Sequence, residues 1–139
     1  MKDKFFLDTN IIVYAFDSPE SVKRKISDKL IKEAHQNLGC ISFQVIQEFL
    51  NVAIRKFESP LKNEDAKRYL SSILFPICEV FPTEKLYLAA LEISERWKYS
   101  FYDSMIICAA LESDCTILYS EDLQDNQKIF QLQIVNPYS

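Results

Sequence analysis

Glycine is almost missing from this sequence: one residue, Gly39, in 139. That scarcity excludes a glycine-rich phosphate loop, and with only five prolines it argues against flexible linkers and low-complexity segments. Histidine is as scarce. The single one, His35, falls near the end of a charged helical segment and reads as a surface residue, not a ligand or a general base. The four cysteines, Cys40, Cys78, Cys108 and Cys115, form no C-x-x-C pair and sit in apolar runs. They read as reduced core residues in preference to disulfides or a zinc site. Apolar stretches such as Met105 to Leu111 are far too short to span a bilayer. Lys2 and Lys4 are followed by too few apolar residues before Asp8 to make a signal peptide, so no membrane is expected and the chain is placed in the cytoplasm. A basic excess is absent as well. With 16 basic and 20 acidic residues the net charge is −4, the reverse of the usual balance in a nucleic-acid binder. That objection weakens if several acids gather around a cation, which offsets them locally.

What is present is the composition of a globular protein, 48% hydrophobic and 26% charged, with no internal repeat and no shift that would mark a boundary. A single domain over residues 1–139 is expected, long enough to bury a core.

Residues 4–8 read as a buried strand and residues 10–16 as a short helix. Ser18-Pro19-Glu20 combines a cap, a proline at the first position and an acid in the first turn, and so starts a second helix. That helix carries Val22, Ile26, Leu30 and Ala34 four apart, and Gly39 closes it. Cys40-Ile41-Ser42 is a second strand, with Ser42 placed to cap a helix over residues 44–56. A helix follows from Asn63, a third strand over residues 77–81, a helix from Thr83, and then a helix over residues 103–112 that is apolar nearly all round and therefore central. Residues 116–119 and 133–135 supply a fourth and a fifth strand. Strands alternating with helices in this rhythm predict an α/β fold with a central parallel sheet of about five strands covered on both faces. In such sheets ligands bind beyond the carboxyl ends of the strands.

Asp8 and the segment Ser120-Glu121-Asp122 both fall at that end. Asp8 ends the apolar run "FFLD", and an ionised carboxylate there costs several kcal/mol unless it is partnered. It can cap the following helix, or it can serve a cation. Glu48, in "FQVIQEFLNVAI", is set among apolar neighbours, and the polar stripe Gln44, Gln47, Glu48 and Asn51 is either a solvated face or part of a site. Asp103 leads the most apolar helix, where an acid is favoured by the backbone dipole, although Ser100 and Ser104 are also available as caps. Asp122 belongs either to a solvated turn or to the same rim. Singly each is ambiguous. Together Asp8, Glu48, Asp103 and Asp122 converge on one rim, and close carboxylates either raise one another's pKa or share a cation. An all-oxygen ligand set suits Mg²⁺ or Mn²⁺ over Zn²⁺. Such a centre can hold phosphate oxygens, activate water and stabilise a leaving oxygen, as metal-dependent nucleases do.

In order along the chain, "FFLDTNIIVYAF", "SFQVIQEFLNV", "FYDSMIICAAL" and "LYSEDL" resemble the four acidic motifs of PIN-domain ribonucleases, and the compact length and spacing resemble the VapC-type toxins of bacterial toxin–antitoxin pairs. The resemblance covers essentially the whole chain. It implies a PIN-like three-layer sandwich, a divalent metal and hydrolysis of RNA phosphodiester bonds. It also implies a homodimer and a separately encoded antitoxin whose C-terminal segment covers the acidic site, where an inserted arginine or lysine suits the negative pocket. Carried over by position, Asp8, Glu48 and Asp103 are the main acidic ligands and Asp122 completes the site. Asn10 helps orient the first acid, Ser120 is the small hydroxyl residue before the last, and Glu121 and Asp125 are further candidate helpers. The stretch "QDNQ" lacks a glycine common in related sequences, and Tyr102 stands where tryptophan is common; both departures bear on loop shape and substrate choice.

Two other readings compete on the residues. An aspartyl-phosphate phosphatase or a receiver domain needs a second early acid and a downstream lysine, and Asn10 stands where that acid would be. A non-catalytic PIN-like module binding RNA or a partner gains nothing from four retained carboxylates. Lys23, Arg24, Lys25, Arg55 and Lys56 are either a solvated face or a guide for an RNA backbone.

Overall fold

A computed structural model describes residues 3–17, 20–57 and 59–139. Short apolar runs and helical segments alternate along the chain as the sequence predicts. Strand β1 (Phe5–Leu7) leads into α1 (Thr9–Asp17) and α2 (Ser21–Glu33), then β2 (Gly39–Ser42), α3 (Phe43–Arg55) and α4 (Asn63–Tyr69). Strand β3 (Cys78–Val80) precedes α5 (Glu84–Trp97) and α6 (Phe101–Glu112), and β4 (Ile117–Tyr119), β5 (Lys128–Ile129) and β6 (Leu132–Val135) complete the chain. The sheet order is β3-β2-β1-β4-β6-β5, parallel throughout except for the β5–β6 pair. The fold is therefore the expected α/β sandwich with a mostly parallel central sheet, but with six strands instead of about five. The added one is two residues long.

β1 is buried along its whole length because it runs between β2 and β4, with Phe5 opposite both Gly39 and Ile117. Helices pack in two groups, α5 on α6, and α1 on α2 and α3. Residues 104–110 of α6 are all buried, as a helix apolar on every side requires. No helix among the described residues is long and apolar enough to cross a membrane.

Several local expectations change. Ser18 and Pro19 lie outside the described residues, and α2 begins at Ser21, with Val22 exposed instead of packed inward. The α2 segment winds on through a wide turn over residues 34–38, where Asn37 takes the left-handed backbone (φ 67°). Gly39 does not close the helix. Its backbone is extended, and it opens β2 because any Cβ there would run into the ring of Phe5. Ser42 precedes α3 but makes no capping hydrogen bond, and its hydroxyl is buried without a partner. By contrast, Thr83 caps α5 through Leu86 N–H at 3.1 Å. His35 is exposed, and the four cysteines are unpaired thiols, three of them buried.

Candidate active site

The strand order creates the site. The chain leaves β1 on one side to form β2 and β3, then returns on the other side at β4. A crevice therefore opens beyond the carboxyl ends of β1 and β4, the place where open α/β sheets bind ligands. Asp8 N–H donates to the Tyr119 carbonyl at 3.0 Å, continuing the β1–β4 pairing by one residue and fixing Asp8 on the rim. Ser120 N–H is fixed in the same way to Val135 O at 3.0 Å. Ser120 Oγ then donates to Asp8 Oδ2 at 2.7 Å, while the same oxygen accepts the N–H groups of Asp122 at 3.2 Å and Leu123 at 3.3 Å. One hydroxyl thus ties the first acid to the loop that carries the last.

Asp8 is 8% exposed. Its second oxygen accepts the N–H of Thr9, the first residue of α1, at 2.7 Å, so the carboxylate does part of a cap's work as well. Burial pushes its pKa up to about 6 from 3.8; the Ser120 and Thr9 hydrogen bonds oppose that shift, and the charges of Glu48 and Asp122 add to it. Both neighbouring charges that act on it are acids. Asp8 is thus a buried carboxylate held by two neutral donors, in a field of its own sign.

Glu48 reaches the rim from α3. Its Oε1 accepts from Thr9 Oγ1 at 2.5 Å, and Gln44 Nε2 lies 3.3 Å from Oε2. Gln44 Nε2 also donates to the Tyr102 carbonyl at 3.1 Å, which ties α3 to the first turn of α6 one residue before Asp103. The α3 stripe is therefore divided: Gln44 is buried and Glu48 half-buried, while Gln47 and Asn51 face solvent. At α6, Ser100 is the cap, its Oγ accepting Asp103 N–H at 3.1 Å, so the Asp103 carboxylate is not needed for that role. Glu48, Asp122, Thr9 and Asn10 line one open cleft of about 400 Å³. A second cavity of about 440 Å³, between α5, α6 and Phe130, holds none of the candidate residues.

The secondary candidates divide. Both polar atoms of the Asn10 amide are buried without a partner beside the cleft. Glu121 turns away to Lys23, at 2.6 Å, and to the Tyr14 hydroxyl, and these two hold its carboxyl below the usual range. Asp125 accepts the Asn136 N–H at 2.8 Å, which secures the end of β6. Thr9 and the Lys23–Tyr14 pair carry no signal of a site in the sequence, and Gln44 reads there only as part of the α3 stripe. Only the proximity of Thr9 and Gln44 to Asp8 and Glu48 in sequence could have marked them.

The donor set has the chemistry of a site for a hard divalent cation. Carboxylate and amide oxygens are the chemistry such an ion takes, and the acids felt at Asp8 together with the orphaned Asn10 amide fit it. Among the described residues no group of three or more His, Cys, Asp or Glu side chains is placed to hold a metal ion as the side chains stand, and Asp103 is not among the residues that line the cleft.

A parallel α/β sheet with acids gathered at its switch point defines the class. The chain belongs to the PIN domain family, whose model matches residues 5–127 and whose members are in general nucleases. No curated protein matches it in sequence. Among solved structures it is similar to a toxin–antitoxin complex from Klebsiella pneumoniae (17% identity, 97% of this chain and 98% of that one, TM-score 0.68). It is also similar to VapBC-1 from nontypeable Haemophilus influenzae (23% identity, 97% and 98%, TM-score 0.64). A third is VapC20 of Mycobacterium tuberculosis, a sarcin–ricin loop cleaving toxin (16% identity, 86% and 90%, TM-score 0.63). At these identities the likeness is one of fold.

Proposed function

We propose that this protein is a divalent-metal-dependent endoribonuclease, the toxin of a toxin–antitoxin pair, acting in the cytoplasm. One observation carries the reading: Asp8 is a carboxylate buried at the sheet's switch point, its pKa raised by that burial first and by the charges of Glu48 and Asp122 after it, and a cation is the partner that would stabilise its charge. Asp8, Glu48, Asp103 and Asp122 hold Mg²⁺ or Mn²⁺, with Asn10 and Ser120 as orienting groups. When bound, the metal supplies a Lewis acid for phosphate oxygens and a water activated at neutral pH. The chain's own residues do the rest. Ser120 holds one Asp8 oxygen and Thr9 N–H the other, which fixes the plane of that carboxylate. Thr9 and Gln44 hold Glu48, and the Gln44 link to Tyr102 sets the start of α6 and hence the position of Asp103.

The toxin assignment draws support from the shared fold of the three neighbours named above. The partner is a cognate antitoxin that places a cationic side chain in the acidic cleft, and the functional unit is a homodimer. The test is cleavage of a defined RNA panel by antitoxin-free protein in Mg²⁺, Mn²⁺ or EDTA, beside Asp103→Asn. Cutting that requires metal and vanishes in the variant supports the reading. Cutting unaffected by EDTA or by the substitution would remove it.

A further inference from the structure

Surface charge offers a polyanion little here. The chain carries a net charge of −4, and Lys4, Lys23, Lys67 and Arg68 are each paired with a carboxylate. Contacts other than ion pairs can therefore help to hold a strand that approaches the acidic cleft. Stacking of unpaired bases on exposed aromatic rings is the sequence-tolerant alternative, because every base has a π-face.

Such rings lie beside the carboxylates. Tyr102 immediately precedes Asp103 and is 68% exposed. Its carbonyl is held by Gln44, the same amide that faces Glu48, so its backbone is tied to the site while its ring stands in solvent. That ring meets Phe101 edge-on, with centroids 5.7 Å apart at 70°. Phe101 in turn lies parallel to Tyr87 of α5, at 6.4 Å and 6°, and Tyr87 is itself exposed. Three aromatic side chains therefore form a strip leading away from the acidic rim, anchored at Tyr102.

We propose that Tyr102, backed by Phe101 and Tyr87, is a stacking platform for an unpaired base of a single-stranded nucleic acid, next to the nucleotide whose phosphate occupies the cleft. The inference rests on the nuclease reading for the position of that phosphate. Because that reading puts a substrate phosphate in the cleft beside Tyr102, to which Gln44 ties its backbone, the occupant is the neighbouring base, and a protein segment over the same ring is an outcome of the test.

The test uses the full chain, as wild type, Tyr102→Phe and Tyr102→Ala, with short single-stranded RNAs carrying 2-aminopurine at successive positions. Fluorescence is read in Ca²⁺, which takes the same oxygen ligands, and cleavage in Mg²⁺. Wild type and Tyr102→Phe should quench the probe at one position, and Tyr102→Ala should not. In cleavage, Tyr102→Ala should raise KM roughly tenfold with kcat unchanged, a size expected for one stacked base, and Tyr102→Phe should restore KM. Equal quenching by all three proteins, or a KM for Tyr102→Ala within twofold of wild type, would overturn the platform and leave the strip to protein contacts. The nuclease reading is judged separately. Tyr102-dependent quenching without metal-dependent cleavage would keep the platform and remove the nuclease, and cleavage without such quenching would do the reverse.

Discussion

At the scale of the single residue, Asp8 carries the argument, because an acid with a raised pKa links charge to stability. Its folded pKa is about 6, against 3.8 for the free carboxyl. Between those values the native state binds more proton than the unfolded chain, so stability falls as pH rises through that window. The penalty is complete above about pH 6, and a shift of this size corresponds to roughly 3 kcal/mol at most. In EDTA, urea unfolding should therefore give a stability that drops between pH 4 and pH 7, with a shallower drop for Asp8→Asn. At pH 7 the metal-free variant should be the more stable protein by about 1–3 kcal/mol, since it no longer buries a charge. Identical pH profiles for the two would show that Asp8 is not the buried acid described here. Ser120 is the complementary case. Its hydroxyl serves Asp8 and the N–H groups of Asp122 and Leu123, so Ser120→Ala leaves three polar groups short of a partner. A loss of about 1–3 kcal/mol is expected in the same assay, together with weaker Mg²⁺ binding by calorimetry.

At the scale of the element, the sheet sets where these residues stand, and the one glycine shows how tightly. Phe5 is buried between β2 and β4, with its ring edge-on to Tyr119 at 5.4 Å and against Gly39 on the other side. Gly39→Ala forces a methyl group into that ring. Overpacking of this kind should cost about 1–3 kcal/mol by denaturant unfolding, and the companion change Phe5→Leu should recover part of it. A Gly39→Ala protein as stable as wild type would show that the β1–β2 contact yields easily. The helices and the parallel pairing were legible in the sequence because their hydrophobic periods are strong, and the strand centres fall where the apolar runs lie. β5 was not, since two residues show no alternation. The Ser42 cap failed because a serine before a helix signals a cap only if its hydroxyl is free to turn, and here it is buried. The rim placement of Asp8 and Asp122 is legible from where the apolar runs of β1 and β4 end. Thr9 and Gln44 escaped because threonine and glutamine carry no charge to betray burial, and the division of the α3 stripe depends on α6 covering Gln44. Glu121 and Asp122 are adjacent in sequence and face different partners, which only the Lys23–Tyr14 contacts reveal.

At the scale of the whole molecule, the cation proposed for the acidic rim would make folding and metal binding one equilibrium. A ligand that binds the native state alone stabilises it by RT ln(1 + [L]/Kd), about 2.7 kcal/mol at one hundred times Kd. The unfolded chain has no such site, because Glu48 and Asp122 are brought within reach of Asp8 only when β1, α3 and the β4 rim assemble. Titrating Mg²⁺ into chelated protein should therefore raise Tm progressively, by several degrees at saturation for a domain of this size, and EDTA should reverse the rise. General ionic screening predicts something different: it relieves repulsion in an acidic chain whatever the cation, so NaCl at matched ionic strength would do as well. The two causes separate in the variants. Asp8→Asn and Asp103→Asn should keep any response to NaCl and lose the response to Mg²⁺. A Mg²⁺ effect that survives both substitutions would mean that the cation acts on the surface at large and not at the switch point of the sheet.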